Sequence, residues 1–91
     1  MIWPAEVRAA RGLLGWSQLE LAAAASVGVA TVRRLEGAGK EIRGSLETSW
    51  KIRTALEAAG IEFIPAEEGK GPGVRLKAAP RQSPRRAAKR K

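Results

Sequence analysis

The chain contains no cysteine and no histidine, and its acidic side chains are all glutamate. Without cysteine there is no disulfide and no thiolate metal site. Without histidine the commonest general base and metal ligand is missing. With aspartate absent too, no acid–base constellation emerges, so an enzyme is the weakest function class and no cofactor or metal is expected. Aromatic residues are few: three Trp, one Phe and no Tyr in 91 residues. The apolar fraction, 44%, is mostly Ala, Leu, Val and Ile, which suits short helices packed closely together. No apolar run approaches the roughly 20 residues that span a bilayer. The opening MIWPAEVRAAR lacks a basic flank followed by a long apolar stretch, so no secretory signal is expected and the default address is cytoplasmic. The length suits one domain with a modest core.

The formal charge of +8 is unevenly placed. Residues 70–91 hold nine Lys/Arg and no acid, a charge of +9, while residues 1–69 hold eight Lys/Arg against nine Glu, a charge of −1. A basic isoelectric point is a common sign of nucleic-acid binding. Here it is a property of the tail and says nothing direct about the rest.

Pro4 fits the first turn of a helix, where its missing N–H costs nothing. Val7, Ala10 and Leu14 follow at helical spacing until Gly15 stops the run. Ser17 and Glu20 form an S-x-x-E capping box that starts a second helix, with Leu21, Ala22 and Ala25 on one face. Ser26 and Gly28 bracket a turn, and Gly28 caps a third helix ending near Gly37 with Val32 and Leu35 inward. The glycine-rich stretch 37–44 reads as a loop. Ser45 caps a fourth helix that Gly60 stops, and Leu46, Ile52, Leu56 and Ala59 form its expected apolar stripe. Ser49 lies on that stripe and Trp50 beside it. Next, Ile61 and Phe63 alternate with Glu62, and Val74 and Leu76 with Arg75 and Lys77, as in two short strands over 61–64 and 74–77. Pairing within the chain and pairing across a dimer are both open. Residues 78–91 have no apolar period and are expected to be disordered. The expected fold is therefore mainly α: a compact four-helix domain over 1–60, a two-strand β appendage over 61–77, and a basic tail.

Residues 17–36, SQLELAAAASVGVATVRRLE, have the layout of a helix-turn-helix, two short helices joined by a tight turn. The string R-x-L-L-G-W-S-Q-x-E-L-A followed by T-V-x-R-L-E resembles the Cro/C1-type (lambda-repressor-like) helix-turn-helix family of prokaryotic and phage regulators. The matching positions include Arg11, Leu14, Gly15, Ser17, Gln18, Glu20, Leu21, Thr31, Val32, Arg34, Leu35 and Glu36. ALEAAGIEFIP with the later GPGVRLK is similar to small single-domain members of that family. The resemblance covers residues 4–77.

The resemblance implies a role for each matched position. Ser17 and Gln18 lie at a helix N-terminus, where free N–H groups and the helix dipole favour an anion, and the family places its matching Gln on a DNA phosphate. Val29, Ala30 and Arg34 match base-reading positions. Val29 and Ala30 offer apolar contact, most naturally to a thymine methyl, while Arg34 is placed for a bidentate contact to guanine O6 and N7. Arg33, more to the flank, meets phosphate. Lys40 and Arg43 match positions that touch the sugar–phosphate backbone, contacts that position a protein without reading sequence. Arg11 and Glu36 match a structural ion pair, and Trp16 is expected in the core rather than as a stacking platform.

The chain departs from the family pattern at two places. Ser26 stands where the turn usually has Gly, so a differently shaped turn is open. The third helix also starts without the usual Gln, Asn or Ser, so selectivity is weak or leans on DNA shape. The function implied is a sequence-specific regulator of duplex DNA, by default a repressor. It is expected to lie in the cytoplasm at the nucleoid and to act as a homodimer on two half-sites about one helical turn apart. Two rivals stand beside it. One is an antitoxin-like module that binds a toxin or other protein and contacts DNA secondarily. The other binds nucleic acid without sequence preference through the tail, where each neutralised phosphate adds to the salt dependence.

Overall fold

A computed structural model of the chain describes residues 2–37 and 46–78. In order along the chain these form α1 (Pro4–Leu14), α2 (Gln18–Ala25), α3 (Val29–Glu36), α4 (Leu46–Ala58), β1 (Ile61–Ile64) and β2 (Gly73–Leu76). Lys40, Arg43, the Ser45 cap and the tail beyond residue 78 lie outside the described residues.

Local signals account for the first three helices. Pro4 opens α1, and the Glu6 carboxylate accepts the Trp3 N–H at 2.9 Å, which satisfies a donor the helix cannot. Gly15, at φ 72°, closes α1 in a Schellman motif: the Trp16 N–H donates to the Arg11 carbonyl at 2.9 Å and the Gly15 N–H to that of Gly12. α2 starts in the Ser17–Glu20 capping box and ends in the same motif, with Ser26 in the glycine role at φ 59°. The Val27 N–H reaches the Ala22 carbonyl at 3.0 Å, so the motif closes with serine in place. A side chain in that left-handed conformation costs about 1 kcal/mol relative to glycine. Ser26→Gly is therefore expected to stabilise the fold by roughly 0.5–1 kcal/mol, seen as a higher urea midpoint at an unchanged slope. A midpoint that stays put or falls would count against this.

The helices surround one core. α3 packs on α1 and α2, α4 packs on α2 and β1, and β2 packs on α1. Val7, Ala10, Leu21, Ala22, Ala25, Val32, Leu35, Ile52, Leu56 and Ile61 are buried together with Ile2. Trp16 is half-buried against this cluster. Leu46 departs from its expected place in the stripe: it is 77% exposed. At about 100° per residue it sits about 100° around α4 from the line through Ile52 and Leu56, whereas Ser49 shares their face. Trp50 lies on the outer side at 65% exposure.

The strands pair within the chain, antiparallel, with Ile61 opposite Leu76, Glu62 opposite Arg75, Phe63 opposite Val74 and Ile64 opposite Gly73. The second strand begins one residue earlier than the alternation suggests and ends at Leu76. The connection between strands is itself a small hairpin. Glu67 and Lys70 exchange two backbone hydrogen bonds, 2.9 and 2.8 Å, with Gly69 at φ 79° making the bend. A two-stranded ribbon is marginal alone; this one gains its stability by laying Ile61, Phe63, Val74 and Leu76 against the helical core.

Candidate nucleic-acid interface

α3 has one face in the core and one in solvent. Val32, Leu35 and Glu36 are buried, while Ala30, Arg33 and Arg34 are exposed. By helical phase Ala30 and Arg34 stand one turn apart, opposite Val32, and Arg33 lies to one side of that line. Among the described residues neither Arg33 nor Arg34 makes an ion pair or a side-chain hydrogen bond. Val29 stands elsewhere. Although the resemblance implies a base contact for it, it is half-buried and packed against the core, because its phase brings it close to Val32. The outward stripe therefore begins at Ala30.

The buried side of α3 ends in a charged network. Arg11 grips Glu36 with two bonds, Nε to Oε2 at 2.7 Å and Nη2 to Oε1 at 2.9 Å, and gives its remaining Nη1 to the Trp16 carbonyl at 3.0 Å. The paired geometry is the fork that a guanidinium presents to a carboxylate. Gln18 donates its amide N–H to Glu36 Oε1 at 3.0 Å. Arg8 donates to the Glu36 backbone carbonyl at the C-terminal end of α3, where a cation offsets the negative end of the helix dipole. Three side chains, Arg8 and Arg11 from α1 and Gln18 from α2, thus meet at Glu36 of α3 and fix the tilt of α3 on the bundle.

This arrangement alters the expected phosphate anchors. Gln18 is half-buried and one amide hydrogen is committed to Glu36, so only its second N–H is left for a phosphate. Ser17 accepts the Glu20 N–H at 3.0 Å through its hydroxyl, and its own N–H goes to Glu20 Oε1 at 2.7 Å. A carboxylate therefore already sits at the N-terminus of α2, and the place expected to attract an anion is partly neutralised. Arg8 is a member of the network that the sequence reading did not single out. The signal was its position three residues before Arg11, on the same side of α1.

Burial pushes the Glu36 carboxyl up, but the hydrogen bonds from Arg11 and Gln18, with the charges of Arg11 and Arg8, outweigh it and hold it below the usual range. The Glu36 hydrogen bond likewise raises Arg11. A carboxyl more acidic in the folded chain stabilises the fold fully above the ordinary glutamate value, about 4.3. That contribution is lost as pH falls through the folded value. Glu36→Gln removes the titrating group, so its stability is expected to depend less steeply on pH below about pH 5 than the parent's. Parallel acid curves for the two proteins would sink the assignment.

No protein-family model matches the chain, and no curated protein matches it. Among the described residues no three metal-binding side chains come together, and no helix is long and apolar enough to cross a membrane.

Proposed function

We propose that the chain is a duplex-DNA-binding transcriptional regulator of the Cro/C1 type, by default a repressor, that lays α3 in the major groove. The observation that carries this reading is the outward stripe of α3. Two exposed arginines without internal partners among the described residues stand on a short helix whose opposite face is clamped by the Arg8, Arg11 and Gln18 contacts to Glu36. A rigid helix with uncommitted guanidinium groups suits both parts of recognition, fixed depth from phosphate contacts and base reading from a planar donor fork. The motif resemblance over residues 11–36 supports the same reading. Arg34 reads guanine, Ala30 meets a thymine methyl, and Arg33 meets phosphate. Residues 40 and 43 and the basic tail add phosphate contacts, which strengthen binding without selecting sequence.

Selection of bound sites from random duplex DNA, using the full chain and a version ending at residue 77, tests this. A shared sequence preference is expected in both, with weaker binding and a shallower salt dependence in the shortened chain. If the shortened chain binds no DNA, the tail-driven reading replaces this one. If neither enriches a sequence, a protein partner becomes the better account.

A further inference from the structure

We propose that the pocket between the start of α1, α4 and the strand connection binds a small organic ammonium ion with an apolar body. The pocket has a volume of about 340 Å³, and its lining includes Trp3, Glu6, Arg53, Phe63, Pro65 and Pro72. That size is at the lower end of small-molecule sites, which hold roughly 300–1,000 Å³. Two aromatic and two proline rings give it apolar walls, with one acid and one base among them. Such a mixture of apolar lining and a few polar groups is what fixes a small ligand in place.

Glu6 sets the charge of the ligand. It is 8% exposed, and one of its carboxylate oxygens accepts the Trp3 N–H at 2.9 Å. Among the described residues it has no ion-pair partner, and its second oxygen accepts no hydrogen bond. A carboxylate so far from water ordinarily has a charged partner. The base on the lining is already answered, because Arg53 pairs with Glu57 at 3.0 Å and lies 4.8 Å over the Phe63 ring. The unbalanced charge at the pocket is therefore negative, and it calls for a cation. Trp3, 40% exposed, supplies a second attraction. Among the described residues no cation lies over its indole, and an indole face is the strongest aromatic partner for an ammonium group. Phe63, Pro65 and Pro72 leave apolar surface for the rest of the molecule. α3 contributes nothing to the lining, so the inference stands independently of the DNA-binding reading.

Phenethylamine, an ammonium group on a phenyl body, is the probe, and 2-phenylethanol is its uncharged counterpart of similar shape. Titration of each into the full chain, followed by backbone and indole N–H resonances in NMR, measures both affinities. Phenethylamine is expected to bind with a dissociation constant on the order of 1 mM, shifting the Trp3 and Phe63 signals, and the alcohol at least about 10-fold more weakly. Glu6→Gln is expected to weaken the amine by about 10-fold and to leave the alcohol unchanged. Glutamine also serves in this capping position, so the variant keeps the start of α1. Trp3→Leu retains an apolar wall without the ring and is expected to weaken the amine about 3-fold more than the alcohol. If Glu6→Gln fails to fold, Trp3→Leu decides alone. A parent that shows no shifts at about 20 mM amine overturns the proposal. Equal affinity for amine and alcohol does so too, as does unchanged amine binding in either folded variant.

Discussion

Arg11→Ala is expected to destabilise the fold by about 3 kcal/mol, and clearly more than Glu36→Leu does. The asymmetry comes from burial. The Glu36 side chain is 4% exposed and that of Arg11 is 20%. Without Arg11 a carboxylate stays inside the bundle with the Gln18 amide as its one remaining side-chain hydrogen bond. Without Glu36 the guanidinium still donates to the Trp16 carbonyl and reaches water on its exposed side. That loss is expected to be about 1–2 kcal/mol. Replacing both partners by apolar groups, Arg11→Met with Glu36→Leu, is expected to recover much of the loss, because no charge is left stranded. Urea titration of the parent, the two single variants and the double variant measures all of this. A double variant whose cost equals the sum of the two single costs would mean that neither charge depends on the other.

The second large effect concerns recognition. On the proposed reading, Arg34→Ala lowers affinity for the preferred site by about 1–3 kcal/mol and relaxes the preference at one guanine. Arg33→Ala weakens binding to every duplex alike and lowers the salt slope by about one. The difference rests on phase. Arg34 lies opposite Val32 at the crest of α3, and Arg33 lies on its shoulder. Competition binding against single-base variants of the selected site separates the two behaviours. A uniform loss for Arg34→Ala would demote it to a phosphate contact. Because Arg34 is exposed and unpaired among the described residues, its replacement is expected to leave the unfolding midpoint unchanged. Any loss of binding is then not a loss of fold.

Much of the fold was legible because the signals that end helices act over three or four residues. The S-x-x-E box at Ser17, Gly15 after α1 and Gly28 before α3 each satisfy backbone groups within one turn, so neighbouring letters suffice. The inward faces of α1, α2 and α3 follow from helical spacing for the same reason. Leu46 shows where this stops. Apolarity placed it in the core stripe, but its phase on α4 carries it outward, and chemistry was a poorer guide than angle. At the candidate site, helical phase leaves Val29 half-buried against the core while Ala30 and Arg34 are exposed.

The sequence by itself determined the order and ends of the first three helices, the inward faces of each, the alternation of the strands and the segregation of positive charge into the tail. Each depends on groups close together along the chain. Only the tertiary structure decided that the strands pair with each other, that Arg8 and Gln18 join Arg11 around Glu36, and that Trp50 and Leu46 stand outside. The Glu36 contacts link residues 28, 25 and 18 positions apart. Such partners are chosen by how whole helices pack, and no local pattern carries that information.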